Sequence, residues 1–242
     1  LQRMVNAVEH VRQRLLLAST ALAAKGVPYA VVGGNAVAAW VATVDEAAVR
    51  NTQDVDILIR RADLPAARAA LEGAGFVYRH AAGLDLFLDH PKASPRQAVH
   101  LTFASEFVKP GEAVANPDVE QSIDMGSFRV LTLDALVQIK LTAFRRKDQV
   151  HLLDLIGIGL VDQSWTSRLP PALAARLQHL LDTETGWKLH KQIDDVITRM
   201  TLDPAARPRP LSTVRAQWTL RLHRGAGGLP AWRCTGRWRR CR

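Results

Sequence analysis

Two residue pairs in the first quarter of the chain have types and spacing that could do phosphate chemistry. Asp54 and Asp56 stand at positions i and i+2 of an apolar run, so their carboxylates point to the same face of an extended strand. Gly33 and Gly34 join an apolar run to a helical segment, a turn that presents free backbone N–H groups to an anion. Together, the four residues could hold a hydrated divalent cation against a bound triphosphate.

Each pair also has a simpler interpretation. Gly33-Gly34 by itself predicts only a tight strand-to-helix turn, and one aspartate could cap the next loop while the other faces solvent. The metal hypothesis is favoured because two unpaired carboxylates one pleat repeat apart repel each other, and a divalent cation removes that repulsion. Hard oxygen ligands of this kind suit Mg²⁺ or Mn²⁺.

The apolar periodicity predicts the elements that position these residues. It indicates an α/β (α+β) fold, in which a small mixed sheet is flanked by helices and followed by a C-terminal helical segment and a disordered basic tail. The first half contains a helix over 4–25, a strand over 29–32, and a helix that starts at or near Asn35 as its N-cap. A later helix has Asp63 near its N-cap and Pro65 in its first turn.

The remaining predicted elements follow in order. Strands are expected at 76–78, 84–88, 97–103 and 128–131, with a connecting loop over 104–126 that could include strand ends. Thr132 caps the next helix, and 143–156 forms a second helix or its continuation. Helices over 172–181 and 187–200 form a small helical end-piece. We therefore expect a core at 1–131, a helical segment packed on it at 132–203, and a tail at 204–242.

The net charge of +9 is concentrated in that tail. Residues 204–242 hold ten Arg and no acid, which leaves 22 basic and 23 acidic residues in the rest of the chain. With its Arg and Trp residues, the tail could be a nucleic-acid arm, a disordered extension without a role, or an out-of-frame end. Cys234 and Cys241 make neither a disulfide framework nor a zinc site, because no second ligand pair has suitable spacing.

Hydropathy favours a soluble, cytoplasmic protein with no membrane partner. No apolar run approaches the ~20 residues of a transmembrane helix, and the N-terminal stretch offers no signal-peptide core. The first residue is Leu rather than Met, which is compatible with a fragment or a displaced start.

The ordered motifs Gly33-Gly34 and Thr52-Gln-Asp54-Val-Asp56 resemble the signature of the DNA polymerase β-like nucleotidyltransferase superfamily. Within it, the chain is most similar to the AbiEii-like group of small bacterial proteins, which includes toxins of toxin–antitoxin systems. The resemblance implies that Gly33 and Gly34 contact the nucleotide phosphates and that Asp54 and Asp56 bind the metal. Asn35 and Thr52, beside these motifs, are assigned to nucleotide binding with them.

Two histidines depart from the superfamily pattern. His100 lies on the strand that often carries a third carboxylate, and His151 stands where many relatives have an acid. His100 could act as a base or bind a softer metal, or it could be a hydrogen-bonded interior residue. Asp85 and Asp89 are the alternative third acids.

The helices after the core also resemble the AbiEii-like group. The resemblance implies that Lys140 faces the triphosphate, with Arg145 doing likewise, and that Asp154 bonds to Lys140 or to an arginine of the 145–147 turn. The alternative for this cluster is a solvated basic helix face, which we favour for Arg146 and Lys147.

Two functions follow from these residues. In the first, the protein is a metal-dependent nucleotidyltransferase that moves a nucleoside monophosphate from an NTP to a hydroxyl on RNA, protein or a small molecule. The basic turn could steer tRNA or another anion, and a toxin would have an antitoxin partner. In the second, the same fold is a catalytically impaired nucleotide-binding or interaction module. The intact Asp54 and Asp56 favour the first, while His100 and His151 favour the second.

Overall fold

One seven-stranded mixed sheet organises the computed structural model, which describes residues 2–184. The strands are β1 (Tyr29–Val32), β2 (Val55–Ile59), β3 (Val77–Ala81), β4 (Leu84–Leu88), β5 (Val99–Phe103), β6 (Ser122–Asp124) and β7 (Arg129–Leu131). Their spatial order is β3-β4-β5-β2-β1-β7-β6. The β2/β5 and β1/β7 pairs are parallel and the other pairs are antiparallel, so the predicted mixed sheet is confirmed.

Helices flank this sheet, as the periodicity predicts. They are α1 (Gln2–Ala24), α2 (Gly33–Ala42), α3 (Leu64–Gly73), α4 (Leu133–Ala143) and α5 (Arg146–Gly157), and residues 171–184 are also helical. Within the described range, no helix is both long and apolar enough to cross a membrane.

Several predicted boundaries change in the structure. Strand β3 begins one residue after the predicted start and runs three residues past the predicted end, and the predicted loop 104–126 contains β6. The helix predicted over 143–156 is a separate helix, α5, which starts at Arg146, because Phe144 takes a left-handed conformation (φ 45°) that ends α4. The prediction that Asn35 caps α2 is wrong, since the helix begins at Gly33 and Val32 occupies the N-cap position.

Other predictions fall on residues that the structure does not describe. The helix over 187–200, most of the helical end-piece and the tail at 204–242 lie outside the described residues. The described residues belong to one compact unit, Leu1–Leu189.

The register of three neighbouring strands sets where the functional residues meet. Strands β1 and β2 are antiparallel with Val32 opposite Asp56, and β2 and β5 are parallel with Asp56 opposite His100. All residues of β2 are buried except Asp56, which is partly buried. In β5 the partly buried residues are His100 and Thr102. The register therefore brings Asp56 and His100 side by side, next to Gly33, which directly follows β1.

Candidate active site

The glycine pair lets the backbone approach two polar side chains closely. Gly33 has a φ of +68°, and a Cβ there would lie 1.9 Å from Oδ2 of Asp56. A Cβ on Gly34 would lie 2.9 Å from Cβ of Thr52. Gly33 lines the main cleft, whereas Gly34 is buried, so only Gly33 is placed to meet a ligand there. Because α2 begins at Gly33, the free N–H groups of its first turn lie at this end of the sheet.

Asp54 is held in place by two residues that we predicted to bind nucleotide. Thr52 donates its hydroxyl to Oδ1 of Asp54 at 2.7 Å, and Asn35 donates Nδ2 to the backbone carbonyl of Asp54 at 2.8 Å. Neither Thr52 nor Asn35 lines the main cleft. The structure thus places both behind the acid that they support, and their contact with nucleotide stays a prediction.

Asp54, Asp56 and His100 form a group that could hold a metal ion. One ligand atom from each residue lies within 4.8 Å of the other two, and all three residues are partly buried. No other group of three or more His, Cys, Asp or Glu residues in the range 2–184 has this geometry. The two carboxylates are the oxygen ligands that Mg²⁺ or Mn²⁺ prefers, so the donor set fits the predicted ion.

The hydrogen bond of His100 fixes which ring nitrogen is free. Its Nε2 lies 2.9 Å from the carbonyl oxygen of Pro95, which can only accept, so Nε2 carries the proton and Nδ1 has the lone pair in the neutral ring. Nδ1 lies 3.7 Å from Oδ1 of Asp56. Because that carboxylate stabilises the charged ring, the pKa of His100 lies above its usual value.

Asp56 is ionised despite its burial. Desolvation by itself favours the neutral acid, but the contact with His100 and the positive charges of Lys147 and Lys140 hold the pKa of Asp56 below its usual value. A carboxylate that stays charged in a partly buried site is suited to bind a cation.

Asp85 and Asp89, the alternative third acids, are engaged elsewhere. Asp85 accepts from the hydroxyl of Tyr78 at 2.5 Å and lies 2.8 Å from Nδ1 of His80. Asp89 forms a bidentate pair with the buried Arg14. His100 therefore stands alone as the third member of the site.

Lys140 forms the basic side of the cleft, and its partner is Asp148. Nζ of Lys140 lies 3.2 Å from Oδ1 of Asp148, and Nε of Arg145 donates to Oδ2 at 2.7 Å. The Lys140 and Asp148 side chains are only 4% and 1% exposed. Burial favours the neutral form of both groups, yet the two cations keep the pKa of Asp148 below its usual value. Asp148 thus holds Lys140 and Arg145 together at the cleft.

The contact predicted for Asp154 is wrong. Nε of Arg50 donates to Asp154 at 2.8 Å. Asp154 lies six residues after Asp148, the acid that pairs with Lys140. Residues 148 and 154 are nearly two turns apart on the helix, so one cannot replace the other at Lys140. His151 lies between them in sequence, and its Nδ1 is buried without a hydrogen-bond partner among the described residues.

The basic and acidic groups meet in a cleft of about 310 Å³. Gly33, the Asp54, Asp56 and His100 group, and Lys140 all line it. The Lys147 side chain is 51% exposed, as a solvated helix face requires, and it also lines the cleft with its Nζ 3.9 Å from Oδ2 of Asp54.

Sequence reasoning missed Asp148. A signal was present, because an acid in the first turn of a helix can accept from the N-terminal N–H groups, and Asp148 accepts from the backbone N–H of Arg145 at 3.2 Å. That signal identifies a helix start but not a partner for Lys140, which depends on the angle at which α4 and α5 meet.

Comparison with known proteins gives a family. Residues 3–133, more than half of the chain, match the family model described as "Uncharacterised nucleotidyltransferase". This segment covers α1, the whole sheet and the Asp54, Asp56 and His100 group. No curated protein matches the chain.

Solved structures with similar architecture have low sequence identity. An antigenic nucleotidyltransferase-like protein from Paracoccidioides brasiliensis is 14% identical, with 75% of this chain and 92% of that chain covered and a TM-score of 0.49. JHP933 from Helicobacter pylori is 12% identical, with 82% of this chain and 98% of that chain covered and a TM-score of 0.43. The antibiotic-resistance factor ANT(2'')-Ia is 11% identical, with 79% of this chain and 98% of that chain covered and a TM-score of 0.43.

Proposed function

The chain belongs to this family of nucleotidyltransferases, and from that premise we propose that it is a metal-dependent enzyme that moves a nucleoside monophosphate from an NTP to a hydroxyl. The observation that carries the proposal is the grouping of Asp54, Asp56 and His100 within 4.8 Å in a cleft that is also lined by Lys140, Arg145 and Lys147. A structural ion-pair network would not require three partly exposed metal-ligating side chains beside a glycine turn.

Asp54 and Asp56 would hold the ion, with Mg²⁺ or Mn²⁺ as the candidates. Thr52 and Asn35 orient Asp54, and Gly33 leaves room for Asp56. When bound, such an ion supplies positive charge that stabilises the phosphate oxygens of the transition state.

The triphosphate is bound by two kinds of donor that line the cleft. The N–H groups at the start of α2 lie at Gly33, and the cations Lys140, Arg145 and Lys147 line the same cleft. Lys140 is fixed by Asp148, so its charge is already in place when negative charge develops on the leaving pyrophosphate. These residues therefore bind and orient the NTP and stabilise the leaving group.

His100 is the residue placed to accept a proton. The acceptor oxygen forms a bond to the α-phosphorus, the bond from that phosphorus to the oxygen bridging to the β-phosphorus breaks, and pyrophosphate leaves. The hydroxyl proton passes to Nδ1 of His100 in its neutral form, in which Nε2 donates to Pro95 and Nδ1 carries the lone pair. His100 thereby takes over the proton-accepting task of a third carboxylate.

The finer proposal follows from the motifs at Gly33-Gly34 and 52–56. We assign the protein to the AbiEii-like group of bacterial, cytoplasmic transferases, with tRNA, another RNA, a protein or a small molecule as the acceptor. In a toxin–antitoxin pair it would be the toxin and would have an antitoxin partner. Asp154 is retained as a supporting residue that acts through Arg50 rather than through Lys140.

Label transfer tests the proposal directly. The protein is incubated with each NTP, labelled at the α-phosphate, with Mg²⁺ or Mn²⁺ and with total RNA, total protein or small hydroxyl compounds. We expect metal-dependent incorporation of label, and loss of incorporation in an Asp54→Ala, Asp56→Ala variant that keeps the wild-type circular dichroism spectrum. Incorporation that survives in this variant would overturn the proposal. Nucleotide binding without transfer under any metal would instead identify a binding module.

A further inference from the structure

A second groove reaches the metal-binding group from outside the main cleft. It measures about 450 Å³ and is lined by Gln53, Asp54, Pro95, Arg96 and His100. It shares Asp54 and His100 with the main cleft but includes none of the cations assigned to the triphosphate. A molecule in this groove would therefore contact Asp54 and His100 while an NTP fills the main cleft.

In-line transfer requires two such approaches. The attacking and leaving oxygens lie on opposite sides of the phosphorus, so the acceptor hydroxyl cannot enter through the space that the pyrophosphate occupies. The main cleft contains Lys140 and Arg145 and so takes the pyrophosphate. The second groove is left for the acceptor.

Arg96 gives this groove a fixed positive charge. It lies in a single helical turn, Pro95–Gln97, in which Ser94 accepts from the backbone N–H of Arg96 at 3.3 Å. The adjacent Pro95 accepts the hydrogen bond that orients His100. The backbone of Arg96 is therefore held one residue from the carbonyl that orients His100, and its side chain is exposed.

No acid in the described part of the chain neutralises Arg96. Its guanidinium forms no ion pair in residues 2–184, and the nearest acid along the same loop, Asp89, is already paired with Arg14. An unpaired guanidinium beside a reaction centre suits the bidentate recognition of a phosphate.

From this geometry, and resting on the proposed function, we infer that the second groove is the acceptor site and that the acceptor carries a phosphate close to its reactive hydroxyl, bound by Arg96. The phosphate could belong to a nucleotide strand or to a small phosphorylated alcohol. The test includes both sources.

Matched acceptors isolate the contribution of the phosphate. The probes are the diribonucleotide ApA with adenosine as its uncharged counterpart, and glycerol 3-phosphate with glycerol. For the wild type we expect a lower KM for the phosphorylated member of at least one pair. In Arg96→Ala the KM for that member should rise about tenfold to 100-fold, which is the range for losing one charged hydrogen bond. The KM for the uncharged member and the KM for NTP should not change.

Two further variants complete the design. Arg96→Lys should restore part of the lost affinity, and Lys92→Ala, an exposed lysine of the same loop, should have no effect beyond general screening. An Arg96→Ala variant that raises KM equally for charged and uncharged acceptors, or for neither, would overturn the inference while leaving the transferase proposal intact.

Binding measurements cover the case in which none of the four probes accepts label. With a non-hydrolysable NTP analogue and Mg²⁺ present, we expect ApA or glycerol 3-phosphate to bind more tightly than its uncharged counterpart, with the difference lost in Arg96→Ala. Equal affinities within both pairs would show that the inference is wrong. The proposed function fails separately, through the absence of label transfer to total RNA, total protein and the small hydroxyl compounds.

Discussion

Gly33 is required by two independent constraints. Its left-handed φ of +68° would strain any residue with a Cβ, and that Cβ would also lie 1.9 Å from Oδ2 of Asp56. The second constraint concerns the proposed function, because the displaced atom belongs to a carboxylate that we propose as a metal ligand. A comparison between two glycines can separate the two effects.

Gly33→Ala should therefore abolish nucleotidyl transfer, whereas Gly26→Ala should not. Gly26 has nearly the same φ, +65°, but a Cβ there would meet nothing within 4 Å. Gly26→Ala should lose about 1–2 kcal/mol of unfolding free energy from the left-handed conformation, and Gly33→Ala should lose more, because Asp56 must also shift. Urea denaturation and transfer assays on both proteins check this. Equal activity of the two variants would show that Asp56 tolerates the displacement.

His100→Gln should lower kcat about 10²- to 10⁴-fold, the usual contribution of a general base, while the KM for NTP is unchanged. The reason is that Nδ1 of the neutral His100 ring carries a lone pair that can accept the hydroxyl proton, whereas the glutamine side chain has no comparable base. Steady-state kinetics over a range of Mg²⁺ concentrations provide the measurement. If a high Mg²⁺ concentration restores kcat in His100→Gln, His100 is a metal ligand rather than the general base, and its assigned role is wrong.

At the scale of elements, the sequence predicts individual strands and helices better than it predicts contacts between them. The apolar run of β1 and the alternation of β5 depend on local spacing, and both are found in the structure. The error at Asn35 arose because its amide bonds to the Asp54 backbone, 19 residues away, instead of capping α2. Local rules favour the cap and contain no information about that distant carbonyl.

The same limit explains the exchange between Asp148 and Asp154. Both acids lie on α5, and only the turn at Phe144, where φ is 45°, decides which one meets Lys140. A left-handed phenylalanine has no sequence signature, since such a conformation is typical of glycine or asparagine. The candidate metal group was accessible to sequence reasoning, but the arrangement of its basic wall was not.

Asp148→Asn should destabilise the protein far more than Asp154→Asn. Removing the charge of Asp148 leaves a Lys140 side chain that is 4% exposed without an ionic partner, at a cost of about 3–5 kcal/mol. Asp154 pairs with an Arg50 side chain that is 67% exposed, a contact that contributes about 0–1 kcal/mol. Chemical denaturation compares the two variants.

A double variant separates the structural part of this effect from the functional part. Lys140→Met added to Asp148→Asn removes the unpaired charge, so stability should recover while nucleotidyl transfer remains lost. Recovery of transfer together with stability would show that Lys140 has no role in the reaction.

At the scale of the whole molecule, three sets of groups titrate in separate pH ranges. The carboxylates Asp56, Asp85 and Asp148 have pKa values below the ordinary aspartate value of 3.8, so their stabilisation is complete above pH 3.8 and is lost as the pH falls below it. The pKa of His100 is raised above 6.5, so its stabilisation is present below 6.5 and is lost as the pH rises through the folded-state value. Between pH 3.8 and pH 6.5, therefore, neither these carboxylates nor His100 changes the free energy of unfolding appreciably.

Between pH 4 and pH 6.5 the stability depends on His151. Burial lowers the pKa of this residue to about 4, and the positive charge of Lys140 adds to the effect. Because the folded state resists protonation of this ring, stability is full above 6.5 and falls as the pH decreases towards 4. His151→Gln should remove this decrease, and the exposed His10→Gln should keep it. The measurement is the urea midpoint of the three proteins at several values between pH 7 and pH 4, where the wild type should lose up to about 1 kcal/mol per pH unit relative to His151→Gln. Parallel curves for the wild type and His151→Gln would mean that the buried Nδ1 accepts a proton without cost in the folded protein.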